Sequence, residues 1–209
     1  MIILEGIVGS TAYGLNNENS DIDKLGVFVN LTDLYWSLNK PPETETQTKP
    51  DITYHEVEKF LRLCLNCNPT VMELLWVQNY TVLTDQGINL IALRFSFLST
   101  QRVINAYGGY AYAQIKKVKT SESVRRFKHA RHCFRLLRQG VKLLETGNLM
   151  IRVENPEEYQ LSETMDIDKM DALFEKEYAH LKSIKSVLPD EPNREAVDDY
   201  LRNIRAIHL

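Results

Sequence analysis

Two aspartates one residue apart, Asp21 and Asp23, stand ten residues after a Gly9-Ser10 pair in the stretch GSTAYGLNNENSDID. On a strand, side chains at i and i+2 leave the same face, so both carboxylates would point to one side. Like charges that close disfavour joint ionisation unless a cation is shared between them. Hard oxygen donors suit Mg²⁺, which takes one or two carboxylates and completes its shell with water and substrate phosphates. Gly9 lets a phosphate approach the backbone, and a helix opening with Ser10 near its cap offers unpaired N–H groups to an anion. Strand, Gly-Ser, helix, Asp-x-Asp and strand, in that order, describe a metal–triphosphate site open to attack by a hydroxyl on a nucleotide phosphate.

Two-metal phosphoryl chemistry needs a further acid near the attacking hydroxyl. Asp51, at the head of the next strand, is the first candidate; Glu56 is second, because it falls where a helix begins. A second Asp-x-Asp pair, Asp166 and Asp168 in MDIDKMD, has no strand or Gly-Ser before it. It sits at a helix start, where acids complement the dipole, and reads as capping.

Cations gather in VRRFKHARHCFRLLRQGVKLL. Arg125, Arg126, Lys128, Arg131, Arg135, Arg138 and Lys142 occur there without an acid between them. Phe127, Ala130, Phe134, Leu137, Val141 and Leu144 follow helical spacing and make a core stripe. Lys128, His132 and Arg135 at i, i+4 and i+7 share another side, which could neutralise a triphosphate or grip a nucleic-acid backbone. Tyr13 on the Gly-Ser turn is a candidate to position substrate. Tyr107, Tyr110 and Tyr112 could stack on bases, although an aromatic helix stripe more often packs a core. Cys64 and Cys67 form a lone C-x-x-C without the second pair that zinc needs, so no zinc is expected. Asn68 should cap a helix begun by Pro69, and Glu73 lies inside it.

These residues need elements to hold them. IILEGIV and KLGVFVN read as strands, STAYGL as a short helix, LTDLYWSL as helical, and DITYH as a strand followed by the amphipathic helix EVEKFLRLCL. NKPPETETQTKP, residues 39–50, has loop or disorder composition. Helical periodicity dominates over 87–98, 100–118, 122–146, 168–187 and 192–206, with Gly147 and Pro189 as stops. The fold expected is α+β: a small mixed sheet with flanking helices over 1–86, then a helical domain over 87–209.

The 209 residues, 44 % of them hydrophobic, can bury a core. A net charge of −3 gives no global electrostatic case for nucleic-acid binding, so any such case is local. No apolar run approaches the roughly 20 residues that span a bilayer. The opening MIILEGIVGS reads as too short and too acidic for a signal peptide, and with three cysteines and no export features the expectation is reduced thiols in the cytoplasm.

GSTAYGL…SDID…GVFV, DITYHEVEKFLRLCLNCNPTVMELLW and KHARHCFRLLRQGVKLLETG together resemble the DNA polymerase beta superfamily of nucleotidyltransferases, and within it the RNA-repair-pathway (RlaP-type) group. The likeness covers most of the first 150 residues. It implies transfer of a nucleoside monophosphate from an NTP to an acceptor hydroxyl, assisted by two Mg²⁺ ions. By motif, Gly9 and Ser10 would hold the triphosphate, and Asp21, Asp23 and Asp51 would bind metal. Lys128, His132 and Arg135, on a helix placed against the catalytic domain, would help bind nucleotide. The implied acceptor is an RNA 3′ end, tRNA included. The alternatives are a protein hydroxyl, as for antitoxin-type minimal nucleotidyltransferases, a small molecule such as an antibiotic, or a nucleotide-binding module without turnover.

Overall fold

The computed structural model describes residues 1–18, 20–120, 125–161 and 165–209. The chain forms two compact units, Met1–Leu98 with Pro192–Leu209, and Ser99–Glu191. The boundary expected at 86/87 falls inside the first of these, which also contains the last helix.

The first unit is built on a five-stranded mixed sheet: β1 (Ile2–Val8), β2 (Asp23–Phe28), β3 (Thr44–Thr48), β4 (Asp51–Glu56) and β5 (Tyr80–Leu83), in the order β3-β4-β2-β1-β5. Only β2 and β4 run parallel; the other neighbours are antiparallel. Its helices are α1 (Gly9–Tyr13), α2 (Val57–Leu65), α3 (Pro69–Met72), α4 (Asp85–Ala92) and α9 (Arg194–Ile207). Ile3, Leu4, Val27, Val57, Phe60, Met72 and Leu74 form its core, each 0 % exposed. Asn68 caps α3 as expected, accepting from the Thr70 N–H at 3.1 Å.

Three elements depart from the sequence reading. Residues 44–48 of the supposed loop are β3, an edge strand paired with β4 and exposed at every position. Alternating threonine suits a pleated strand, and with neither face buried the segment lacks the apolar signature of one. LTDLYWSL is a 3-10 turn at Thr32–Trp36 rather than an α-helix. β5 carries only four residues and escaped notice for that reason.

The second unit holds α5 (Thr100–Thr120), α6 (Arg125–Thr146), α7 (Pro156–Leu161) and α8 (Ile167–Ser183); residues 122–124 of the expected helix lie outside the described residues. α5 and α6 run antiparallel: Gln114 Oε1 meets His129 Nδ1 at 2.8 Å, and Cys133 Sγ donates to the Ala111 carbonyl at 3.3 Å. Of the apolar stripe of α6, Ala130, Phe134, Leu137 and Leu144 are buried, as are Tyr107 of α5 and Phe174 and Leu181 of α8, and α6 packs on both of those helices. Asp166 caps α8 by accepting from the Lys169 N–H at 2.8 Å, as the capping reading requires.

Candidate active site

α1 opens at Gly9, held at φ +69°, with Val8 as N-cap and no side chain capping its first N–H groups. Ser10 is thus the second helical residue rather than the cap. Val8 pairs with Asp23 in the β1/β2 ladder, which brings Gly9 alongside that aspartate. A Cβ on Gly9 would stand 2.2 Å from Asp23 Oδ2 and 3.1 Å from its Cγ. The position requires glycine twice, for its left-handed backbone and for the carboxylate against its Cα.

Lys24 pairs with Ile52 in the parallel ladder. Asp23 and Asp51, one residue before each, therefore head neighbouring strands at the same end of the sheet and in the same pleat phase. Asp21 lies two residues ahead of β2, exposed and outside any strand. The shared-face argument holds for Asp23 with Asp51 and not for Asp21 with Asp23, because the chain before Asp23 is not pleated. These three side chains are hard-oxygen donors of the kind magnesium takes. Among the described residues, no group of three or more His, Cys, Asp or Glu is gathered closely enough to hold a metal ion.

The first unit holds three buried acids whose partners the sequence did not reveal. Tyr13, the last residue of α1, is 8 % exposed, and its hydroxyl donates to Glu73 Oε2 at 2.6 Å. Glu73 itself is 4 % exposed, so the phenol anchors the Gly-Ser helix from inside. Glu5, the lone acid of an apolar strand, accepts from Lys24 Nζ at 2.8 Å, and from the Tyr54 and Thr81 hydroxyls. Burial alone would raise its carboxyl pKa, but these donors and the lysine charge hold it below the usual value. Burial, then Glu5 itself, pushes Tyr54 up to about 12. Tyr54 reaches Glu5 by crossing Gly26, where a Cβ would stand 2.5 Å from the ring. Glu56 caps α2 by accepting from the Glu58 N–H at 2.8 Å, and it pairs with Arg205 of α9 at 2.8 Å. At 1 % exposure it is spoken for structurally.

In the helical unit the side of α6 that carries Lys128, His132 and Arg135 does not face solvent along its length. Lys128 is exposed and His132 half-buried. Arg135 is 2 % exposed, donating to Gln139 Oε1 at 2.5 Å and meeting His132 Nδ1 at 2.7 Å. The expectation that Arg135 lies off the buried surface is corrected here. It is sealed because Gln139 and His132 supply acceptors one helical turn to either side. Burial first, then Arg135, His129, Lys117 and Lys128, push the His132 pKa down to about 3, so its ring is neutral. Tyr107 is fully buried, while Tyr110 and Tyr112 are exposed. Cys64, Cys67 and Cys133 are buried and outside any disulfide; burial raises the pKa of Cys64, and brings Cys133 to about 12.

Residues 1–156 match the profile of the RNA repair pathway DNA polymerase beta family (RlaP). The chain belongs to that family. The match runs from β1 across the sheet and both long helices to the first residue of α7, so α5 and α6 are part of the family module. A search of curated proteins finds no match to the chain. Family membership makes this a nucleotidyltransferase linked to RNA repair, and implies a divalent metal and an NTP. No helix among the described residues is long and apolar enough to cross a membrane.

Proposed function

We propose that the chain transfers a nucleoside monophosphate from an NTP to the 3′ hydroxyl of an RNA, tRNA included. The hydroxyl oxygen bonds to the α-phosphorus, the α–β bridging P–O bond breaks, pyrophosphate leaves, and the hydroxyl proton passes to water. The observation that carries this reading is the seating of Asp23 against Gly9 with Asp51 level on the neighbouring parallel strand. One carboxylate lies against Gly9 and a second stands level with it on the next strand, which supports a metal–triphosphate site at this end of the sheet.

In this reading Gly9 and Ser10 receive the triphosphate through backbone N–H groups that no side chain caps. Asp21, Asp23 and Asp51 would hold the magnesium ions that family membership implies, and Asp51 would orient the attacking hydroxyl. Bound magnesium would supply Lewis-acid polarisation of the phosphates and favour ionisation of the hydroxyl. Tyr13, fixed by Glu73, keeps the Gly-Ser helix in register with Asp23. Lys128 and His132 belong to phosphate binding, with Arg135 acting behind them. The catalytic work falls to the first compact unit.

The test is transfer of label from α-³²P NTPs onto a total tRNA pool, with Mg²⁺ and with EDTA. Label on RNA that needs Mg²⁺ and disappears in Asp21→Asn supports the proposal. Label on a protein band instead of RNA would replace the acceptor, and metal-dependent NTP binding without turnover would replace the reaction.

A further inference from the structure

We propose that the adjoining ends of α5 and α6 grip the phosphodiester backbone of a single-stranded RNA, through Lys116 and Lys117 on one helix and Arg126 and Lys128 on the other. The pairings of Gln114 with His129 and of Cys133 with Ala111 run antiparallel and bring Lys117 level with Arg126. Lys117 and Lys128 both act electrostatically on His132, so the two lysines converge on one patch. Among the described residues none of these four cations has a carboxylate partner. By contrast Lys119 pairs with Asp171 at 2.7 Å, and Arg138 with Glu158 and Glu177 at 3.0 Å.

Uncompensated charge here is costly. The first turn of α6 contains no acid, and cations near the positive end of a helix dipole lose about 0.3–1 kcal/mol each. A chain of net charge −3 has acids available, yet among the described residues none pairs with these four cations. A polyanion would relieve the repulsion.

The aromatic content favours an extended strand over a lone triphosphate. Exposed Tyr112 carries Lys116 Nζ 4.5 Å from its ring centre, and half-buried Phe127 carries the Arg126 guanidinium at 5.1 Å. Cations set on partly exposed rings present a phosphate contact and a stacking surface together, which suits unpaired bases. His132 adds a neutral donor: with Nδ1 facing Arg135 at 2.7 Å, Nε2 carries the proton. That RNA is the strand bound rests on the functional reading above; the phosphate-binding geometry does not.

The experiment measures binding of a fluorescein-labelled single-stranded RNA to the full chain by anisotropy, without NTP, across a salt series. Wild type, Lys117→Gln/Lys128→Gln and, as a control for an exposed lysine elsewhere, Lys185→Gln are compared, with melting curves for each. Each phosphate contact on a single strand contributes a slope of about 0.7 in log K against log salt. The double variant should therefore bind more weakly with a slope shallower by about 1.4, and Lys185→Gln should match wild type. An unchanged slope and affinity in the double variant would overturn the proposal. So would an equal loss in Lys185→Gln. Should the double variant fail to fold, Lys116→Gln/Arg126→Gln carries the same test. Asp21→Asn separates the two readings. If it binds RNA like wild type while no protein shows transfer, the reaction falls and this surface stands.

Discussion

Gly9→Ala tests the seating of Asp23 with a single methyl group. Two costs follow from the geometry. At φ +69° an alanine loses about 1–2 kcal/mol against a right-handed backbone. The added carbon would also lie 2.2 Å from Asp23 Oδ2. The carboxylate must withdraw by about 1 Å to reach ordinary contact, and a misplacement of that size costs on the order of 10²-fold in rate. For a chain of this length, 1–2 kcal/mol corresponds to a melting shift of roughly 2–8 °C. Gly147→Ala is the matched control. It shares the left-handed backbone at φ +72°, but its Cβ would meet only Leu188, at 3.8 Å. Melting followed by circular dichroism should fall comparably in both variants, and NTP-dependent transfer should fall about a hundredfold in Gly9→Ala alone. Transfer near the wild-type rate in Gly9→Ala, with the melting shift present, would refute the claim that Asp23 works from its place against Gly9. Equal loss of transfer in both would show that backbone strain, not carboxylate position, is what matters.

Asp51→Asn should reduce transfer to the EDTA background while melting like wild type, since Asp51 is exposed at a strand start; near-normal turnover would move the third ligand elsewhere. Tyr13→Phe removes a buried hydrogen bond to a carboxylate and should lower unfolding free energy in urea by about 1.5–3 kcal/mol, together with weaker NTP binding; unchanged NTP affinity would make the pair purely structural. Arg205→Ala strands Glu56 at 1 % exposure and should cost about 3–5 kcal/mol, and a melting temperature within a degree of wild type would show the pair is dispensable. His132 has its folded pKa depressed to about 3 against about 6.5 unfolded. Its contribution is complete above pH 6.5 and declines as pH falls from there toward 3, by up to about 1.4 kcal/mol per unit. His132→Gln should flatten that part of the stability profile, and an unchanged profile would mean the ring is charged in the folded state.

The catalytic strands were legible because their signals are local. IILEGIV, the Gly-Ser pair and Asp-x-Asp each sit within a few residues, and the sheet sets Gly9 beside Asp23 as their order suggests. Asp51 was readable as the head of the next strand, but its level with Asp23 depends on parallel pairing across an intervening hairpin, and no residue pattern states a register. Glu5 was the missed signal that could have been found, since a lone carboxylate in an otherwise apolar strand must meet donors once buried. Its partners come from β2, β4 and β5, so only the assembled sheet names them.

The basic helix shows a different limit. Periodicity separates the stripes of a helix but does not say which of two stripes meets a neighbour, and α6 is packed by both α5 and α8. The polar stripe of Lys128, His132 and Arg135 begins in solvent and ends in the core, which a side-by-side count of cations cannot show. Spacing nonetheless carried the information. An arginine with a histidine three residues before it and a glutamine four after has acceptors on its own helix, as Arg135 does with His132 and Gln139. Arg126, whose interaction is with the neighbouring Phe127 ring, has no such pair of acceptors three before and four after it. That difference sorts the cations of one helix into those that build the unit and those left for a ligand. It also places the functional charge at the start of α6 rather than along its length.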